Sequence, residues 1–329
     1  MTPKDPLDIA PRPYDVLAMG RSSIDLYAHE IGRPITDVRS FDAYVGGCPT
    51  NVSVGTRRLG LRSVLLTAVG DDQVGEFVTA FLDRERVDTR FIPRKQGHRT
   101  SAVILTIQPP DTFPLTFYRD NCADRALTID DVARAPVAES RVVFLTGTGL
   151  SHEPARAATF AAAAAARGAG VPIVVDIDYR ADQWDSPGAF AAQIQALLRA
   201  ATIAVGTEEE LAAASGSTDT AGATAMILES GIHALVLKRG ARGSTVFRAD
   251  GRPADVTPFA IEVLNVLGAG DAFASGFLYG FLQGWPLERA ARMGNACGAI
   301  VVTRHGCANF MPTLDEVAAF VTAQGEPAI

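Results

Sequence analysis

A short stretch near residue 270 combines chemical groups that phosphoryl transfer requires. Gly268 and Gly270 precede Asp271, and apolar residues recur at helical spacing from Phe273 to Phe281. Backbone N–H groups of a glycine-containing turn at a helix N-terminus can bind phosphate. A carboxylate in the first helical turn can accept the proton of an attacking hydroxyl. Asp271 could equally cap the helix, and this stretch alone does not separate the two roles.

Other polar segments follow the predicted strands. They are Asp25, residues 46–51 with Gly46, Gly47 and Asn51, residues 176–180 with Asp176, Asp178 and Arg180, residues 207–210 (Thr-Glu-Glu-Glu), and residues 238–244. Because open α/β sheets bind ligands at the carboxyl ends of their parallel strands, we expect these segments to share one crevice. Acidic residues there could hold Mg²⁺ through water, and the basic glycine turn could bind nucleotide phosphate. Each segment alone is also typical of a solvated turn or helix start.

An alternation of strands and helices must position these residues. Strands are predicted at residues 14–19, 63–70, 142–145, 172–175, 203–205 and 235–237, and helices at 52–59, 75–86, 154–167, 189–201 and 208–214. This order predicts an α/β fold with a mostly parallel sheet covered on both faces.

Two segments interrupt this alternation, at about residues 26–45 and 100–120. Their β-prone runs, separated in the second segment by residues 109–111, predict a small antiparallel sheet inserted into the domain. Such a sheet could cover a site and exclude water, or it could be a passive oligomer contact. We interpret residues 1–13 as a flexible tail and residues 14–329 as one domain that contains the inserted segments.

Composition narrows the class of function. The 329 residues carry a net charge of −7 without a long basic cluster, which argues against nucleic-acid or membrane partners and favours a small metabolite. Four scattered cysteines without a C-x-x-C pair suggest reduced thiols in the cytoplasm. The sequence contains no Walker motif, no third glycine for a dinucleotide turn, no H-E-x-x-H and no G-x-S-x-G.

The combined motifs closely resemble the ribokinase-like carbohydrate kinases, also called the PfkB family. The resemblance runs from about Tyr14 to Thr322 and rests on the Gly46-Gly47 pair with Asn51, on residues 238–244 and on residues 268–271. It implies a ribokinase-like three-layer α/β/α fold with a small β-sheet lid over the sugar. It also implies ATP and Mg²⁺, together with the family's usual monovalent cation, K⁺. The chain departs from the family at that cation site, where Asn265 and Val266 replace the common Asp-Thr.

The resemblance assigns roles to individual residues. Asp271 matches the catalytic base, and Gly268, Ala269 and Gly270 match the anion hole. The predicted substrate-binding residues are Asp25, Gly46, Gly47, Asn51, Arg119 and Arg180, and the predicted nucleotide-binding residues are Lys238, Gly240, Gly243 and Asn295. Glu210 is predicted to contact Mg²⁺ through water. Asp178 and Thr207 stand where the family usually has Asn.

Residues 265–273 are most similar to the subgroup that phosphorylates 5-dehydro-2-deoxy-D-gluconate in inositol catabolism. Residues 20–27, 37–41 and 113–119 are similar to the same subgroup. An acidic sugar needs a cation for its carboxylate, and the planar guanidinium group suits one. Arg119 and Arg180 are the predicted partners, and Arg21 is a weaker third candidate.

Several alternatives remain open on the sequence. The acceptor could be 2-keto-3-deoxygluconate, fructose, ribose or a nucleoside on the same fold. The chain could also be a non-catalytic sugar or nucleotide sensor, since fold does not fix function. A nicotinamide-dependent oxidoreductase is a poorer alternative, because the sequence lacks the glycine pattern of that class. Relatives commonly form homodimers through the lid sheets, and an exposed strand edge gives a physical reason for such pairing.

Overall fold

The computed structural model describes residues 9–108, 113–249 and 251–326. Two predicted segments therefore lie outside the described residues: residues 1–8 of the predicted tail, and residues 109–111, which were predicted to separate two β-prone runs. Within the described residues, the strands are β1 (Tyr14–Met19), β2 (Ser23–Ala28), β3 (Phe41–Gly46), β4 (Ser63–Leu66), β5 (Val69–Gly70), β6 (Arg94–Lys95), β7 (Ser101–Leu105), β8 (Leu115–Tyr118), β9 (Ser140–Thr146), β10 (Ile173–Asp176), β11 (Ile203–Thr207), β12 (Ala234–Lys238), β13 (Ser244–Arg248) and β14 (Ala254–Val256).

The helices of the described residues follow the predicted alternation. They are α1 (Cys48–Arg58), α2 (Gln73–Arg84), α3 (Ile129–Arg134), α4 (Ala155–Gly168), α5 (Pro187–Leu198), α6 (Glu208–Ser215), α7 (Thr220–Glu229), α8 (Ala269–Leu282), α9 (Leu287–Val301) and α10 (Leu314–Ala323). Helix α1 begins four residues before its predicted start at Val52, because Pro49 suits the first helical turn, where its missing N–H costs nothing. The predicted strand 63–70 is divided into β4 and β5.

The large sheet has the strand order β14-β13-β12-β11-β10-β9-β1-β4 within the described residues. In this sheet, the neighbouring strands β4, β1, β9, β10, β11 and β12 pair in parallel, and β13 and β14 add an antiparallel edge. Successive residues of β1 belong to different cores: Val16 packs in a cluster with residues of α8 and α9, and Leu17 packs in one with residues of α4 and α5. Since both faces of the sheet are covered, the predicted three-layer α/β/α architecture is confirmed.

The small sheet has the order β3-β2-β7-β8. The pairs β2/β3 and β7/β8 are antiparallel, but β2 and β7 are parallel. The prediction of a wholly antiparallel sheet was therefore wrong for the central pair, because the first strands of two hairpins lie side by side. Asp25 lies within β2 and not in a turn after β1. Among the described residues, no helix has the length and apolar character needed to cross a membrane.

Helices α1 and α8 pack closely, and this contact sets the distance between the side chains on their facing surfaces. A Cβ atom on Gly55 of α1 would lie 2.2 Å from the Ser275 Oγ atom of α8, so only glycine permits this approach. One helical turn earlier on both helices stand Asn51 and Asp271. The packing of the two helices therefore brings these two side chains together.

Candidate active site

A cavity of about 60 Å³ lies at the edge where the large sheet meets the small sheet. Its lining includes Asp25, Gly47, Asn51, Arg180, Gly268 and Asp271, which were all predicted from the sequence, and Arg21, which was the weaker third candidate for the substrate carboxylate. Cys48, Phe117, Asp178, Leu267 and Cys307 also line it. The structure thus brings together residues from β2, α1, α8 and the loop after β10. Three of the predicted polar segments therefore meet in this crevice with the start of α8, whereas residues 207–210 and 238–244 do not line it.

Asp271 occupies the first turn of α8, and its carboxylate is held by α1. Asn51 donates a hydrogen bond from Nδ2 to Asp271 Oδ2 at 2.6 Å, and the Cys48 thiol donates a second one. Burial raises the pKa of Asp271 above its ordinary value, although both hydrogen bonds oppose that rise. A carboxylate with a raised pKa is a stronger proton acceptor, as a general base requires.

The turn before Asp271 has the geometry of an anion-binding helix start. Gly268 adopts the left-handed conformation with φ of 82°, which a side chain would disfavour, and no side chain of the described residues caps the helix there. Since the Asp271 carboxylate faces Asn51, the simple helix-cap role is not the one observed. The positive end of α8 is therefore left to a ligand.

Asp25 lies beside this turn and is fixed by the small sheet. Its Oδ1 atom accepts a hydrogen bond from Ser23 Oγ at 2.6 Å. A Cβ atom on Gly46 would lie 1.8 Å from Asp25 Oδ2, so the carboxylate occupies the space that a side chain at position 46 would need. Burial raises the pKa of Asp25, and the nearby Arg21 charge opposes the rise. Asn51 Oδ1 is buried without a partner among the described residues, so it is an acceptor that a substrate hydroxyl would satisfy.

Two arginines line the cavity. Arg180 Nη2 lies 3.0 Å from Asp178 Oδ1, and the Arg180 side chain is 42% exposed. Arg21 donates a hydrogen bond to Ser23 Oγ at 2.8 Å and lies over the Phe117 ring at 5.3 Å from its centre. Asp178 itself has a φ of 39°, a conformation that Asp and Asn tolerate better than other side chains, so its replacement of the family's usual Asn is accommodated.

Arg119 does not line this cavity, contrary to its predicted role at the substrate. Its side chain is 4% exposed, and its Nε atom donates a hydrogen bond to Asp124 Oδ2 at 2.9 Å. Gln183 Oε1 accepts another hydrogen bond from the same guanidinium group. Arg119 stands just beyond the end of β8, whereas Phe117 within the strand faces the cavity. The Arg119 guanidinium group is therefore paired with Asp124 and not directed at the cavity, where the sequence had suggested that it would bind a substrate carboxylate.

The predicted nucleotide segment lies at the same sheet edge but outside the cavity lining. Gly243 has a φ of 79°, and a Cβ atom there would lie 2.2 Å from the Val256 carbonyl oxygen. Asn295 donates a hydrogen bond from Nδ2 to the Thr257 carbonyl at 2.9 Å. Both residues thus shape the chain that follows β14, and Gly240 opens the turn after β12. Their contacts with a nucleotide stay predictions.

Glu210 has a structural role that the sequence indicated only in part. Thr207 caps α6 as expected, and the Thr207 N–H donates to Glu210 Oε2 at 2.7 Å. The same oxygen lies 3.8 Å from Lys238 Nζ. The described residues contain no group of three or more acidic, histidine or cysteine ligands arranged for a metal. A contact between Glu210 and Mg²⁺ through water stays a prediction.

A second, larger cavity does not coincide with these residues. It measures about 590 Å³ and is lined by residues that include Arg125, His152, Arg156 and Trp184. None of the predicted site residues lines it. We therefore locate the candidate active site by its chemistry, since volume alone would have selected the other cavity.

Comparison with known proteins decides the family. The model of the pfkB family carbohydrate kinases matches residues 14–314 of the chain. The chain belongs to this family. The predicted resemblance is thereby confirmed, and the chain is a carbohydrate kinase of the pfkB family.

Individual relatives are similar over nearly the whole chain. The 5-dehydro-2-deoxygluconokinase of Shouchella clausii (strain KSM-K16) is 35% identical over 317 residues, covering 94% of this chain and 96% of that protein. The protein of the same name from Geobacillus thermodenitrificans (strain NG80-2) is 33% identical, with 94% of each chain covered. A double-mutant fructokinase from Vibrio cholerae O395, in its fructose-, ADP- and potassium-bound form, is 26% identical with a TM-score of 0.84, covering 94% of this chain and 99% of that one. The predicted ribokinase-like fold is confirmed.

One detail of the site, the position of Cys48, escaped the sequence reasoning. Cys48 had been noted only as one of four scattered thiols, although it directly follows Gly47 and precedes Asn51 by three residues. In α1 this spacing places Cys48 and Asn51 on one helical face. A predicted helix that began at Cys48 would have shown that the two side chains lie together.

We expect Cys48 to influence the pH dependence of the reaction. Replacing Cys48 with Ala removes a hydrogen bond to the Asp271 carboxylate, which raises the pKa of Asp271 further. Because the base must be ionised to accept a proton, the acid limb of kcat/KM should move to higher pH. Cys48→Ser keeps a donor and should leave the limb near its original pH.

The matched control is Cys297→Ala, which removes another buried thiol, on α9, outside the cavity lining. Its acid limb should coincide with that of the unmodified chain. An unchanged limb in Cys48→Ala, or a limb at lower pH, would contradict the assigned role of this thiol. The measurement is the pH profile of kcat/KM for all four proteins.

Proposed function

We propose that this kinase transfers the γ-phosphoryl group of ATP to the primary hydroxyl of 5-dehydro-2-deoxy-D-gluconate. The observation that carries the proposal is a carboxylate base at the start of α8 in one cavity with two arginines, Arg21 and Arg180. The names of the curated relatives, similar over at least 94% of this chain in the two cases given, support the choice of acceptor. The intact Asp271 and its contacts argue against a non-catalytic sensor.

The proposed reaction uses residues already in position. The acceptor hydroxyl loses its proton to Asp271 as its oxygen attacks the γ-phosphorus, and the bond to the bridging oxygen of ADP breaks. The backbone N–H groups of residues 268–270 stabilise the negative charge on the transferring group. Asp25 and Asn51 orient the sugar hydroxyls, and Arg21 or Arg180 pairs with the sugar carboxylate. Mg²⁺, when bound with the nucleotide, neutralises phosphate charge.

The small sheet must move for substrates to enter. A cavity of about 60 Å³ is much smaller than the roughly 300–1,000 Å³ that is typical of ligand pockets. Phe117 of β8 and Tyr27 of β2 belong to its lining, so an outward movement of the small sheet enlarges it. We therefore infer that this sheet is the lid and that lid closure excludes water during transfer.

The proposed cofactors are ATP and Mg²⁺, and a K⁺ requirement stays a prediction. Asn265 stands at the family's usual cation site, and its amide is used internally. Its Nδ2 atom donates to the His305 carbonyl at 3.1 Å, and its Oδ1 atom accepts from the Leu267 N–H at 3.0 Å. Asn265 therefore brings no negative charge to a cation. The four cysteines are free, which agrees with the proposed cytoplasmic location.

Substitution of the two cavity arginines tests whether they bind the carboxylate of the substrate. Replacing Arg21 or Arg180 with Met should lower kcat/KM for a sugar acid by about 10- to 100-fold, because a charge-assisted hydrogen bond is worth roughly 1.5–3 kcal/mol. For fructose, which has no carboxylate, the same variants should change kcat/KM far less. The measurement is ADP release with 5-dehydro-2-deoxy-D-gluconate, 2-keto-3-deoxygluconate, fructose, ribose and a nucleoside.

Arg134→Met is the control, since that side chain is 73% exposed on α3 and lies outside the cavity lining. It should behave like the unmodified chain with every acceptor. A clear preference of the unmodified chain for a neutral acceptor would contradict the proposed substrate. Equal losses on acidic and neutral acceptors in both cavity variants would contradict the carboxylate contact.

We also propose a homodimer formed through the lid sheets. Phe41 on edge strand β3 and Tyr118 on edge strand β8 are 40% and 57% exposed, and apolar residues at open strand edges favour pairing. Tyr118→Lys and Phe41→Lys should convert a dimer into a monomer in sedimentation experiments. Ile129→Lys, at an equally exposed apolar residue on α3, should not. A monomeric unmodified chain would contradict this proposal.

A further inference from the structure

Lys238 presents a buried charge at the end of a central strand. It is the last residue of β12, and its side chain is 11% exposed. Its Nζ atom lies 3.0 Å from Asp176 Oδ2, 3.3 Å from Asp176 Oδ1 and 3.8 Å from Glu210 Oε2. Burying an ammonium group costs several kcal/mol unless such partners compensate it. Burial opposes the charge, but the two carboxylates outweigh it and hold the pKa of Lys238 above its ordinary value, so the side chain stays protonated at neutral pH.

The ammonium group also lies against the start of α8. A Cβ atom built on Gly270 would lie 3.2 Å from Lys238 Nζ. Gly270 directly precedes Asp271, and its own N–H belongs to the proposed anion hole. A cation beside the positive end of a helix dipole is unfavourable by itself. The arrangement becomes favourable when an anion binds at this helix start and contacts both the backbone N–H groups and the ammonium group.

Asp176 holds the lysine at this position. It is the last residue of β10, and the register of the parallel strands places it and Lys238 on opposite sides of β11. Its side chain is 3% exposed, and burial raises its pKa to about 7 although Lys238 opposes the rise. The lysine and the carboxylate therefore depend on each other, since either one alone would be an uncompensated buried charge.

We propose that Lys238 is a catalytic residue, whose ammonium group turns from Asp176 and Glu210 to the phosphoryl group in transfer, and that Asp176 is the positioning residue that holds it beforehand. The inference rests on the proposed phosphoryl transfer and adds a residue to it. Lys238 keeps its proton throughout and donates a hydrogen bond to an oxygen of the transferring group. The hydroxyl proton still goes to Asp271, and ADP leaves as before. Charge on the phosphoryl oxygens thus meets an ammonium group in addition to the backbone N–H groups.

The test separates stabilisation of the transition state from binding of the nucleotide. Lys238→Met should lower kcat by about 10²–10³-fold while the KM for ATP changes far less, because the lost contact forms mainly in the transition state. Affinity for ADP with aluminium fluoride and the sugar, a transition-state analogue, should fall by a similar factor, whereas affinity for ADP alone should stay within a few-fold. Lys238→Arg keeps the charge and should retain more activity than Lys238→Met.

Two further variants keep the result interpretable. Lys238→Met leaves Asp176 unpaired, so the double variant Lys238→Met with Asp176→Asn removes both charges and should fold even if the single variant does not. Lys95→Met is the matched control: Lys95 makes a similar ion pair with Asp131 Oδ2 at 2.5 Å, is 18% exposed, and lies outside the cavity lining. Its kcat should stay near that of the unmodified chain.

All of these variants are assayed with whichever sugar the unmodified chain phosphorylates best, so a wrong choice of acceptor does not affect the result. A normal kcat in a folded variant without Lys238 would overturn the inference. Equal losses of ADP affinity and of transition-state-analogue affinity would also overturn it, because Lys238 would then only bind the nucleotide.

Discussion

The hydrogen bond between Asn51 and Asp271 is the contact on which the rest of the site depends. A buried carboxylate is costly unless donors reach it, and α1 supplies them through Asn51 and Cys48. Those donors reach Asp271 only because Gly55 allows α1 to approach Ser275 of α8 closely. The glycine that fixes the helix separation is therefore as necessary to the base as the groups that contact it.

The other buried carboxylates of the site also need a hydrogen-bond donor or a cation close by. Asp25 accepts a hydrogen bond from Ser23 and lies near the charge of Arg21. Asp178 forms an ion pair with Arg180, and Asp176 forms one with Lys238. The last two pairs lie at the carboxyl ends of β10 and β12 in the large sheet, whereas Ser23 and Asp25 lie at the beginning of β2 in the small sheet. The exceptions are informative: Asn51 Oδ1 lacks a partner among the described residues, and the start of α8 lacks a side-chain cap. These unsatisfied groups are the ones that a sugar hydroxyl and a phosphoryl group would satisfy.

Much of this arrangement could be predicted from the sequence, because strand and helix periodicity and the polar residues at strand ends are local patterns. The alternation predicted the parallel sheet, and the glycine turn predicted the position of Asp271. Side-chain pairing is not local. Arg119 was expected at the substrate together with Arg180, yet Asp124 and Gln183 hold it elsewhere. The arginines that line the cavity are Arg180 and the weaker candidate Arg21. The parallel pairing of β2 with β7 and the proximity of Lys238 to Gly270 likewise depend on segments distant in sequence.

The most direct test of the account is the Asp271→Asn variant, because Asn has nearly the same shape but cannot accept the proton. Turnover should fall by at least about 10²–10⁴-fold, the usual contribution of a general base. Calorimetry should still show binding of ATP and of the sugar acid near the affinities of the unmodified chain, and circular dichroism should show an intact fold. Near-normal turnover in this variant would contradict the assignment of Asp271 as the base and with it the central claim about the site.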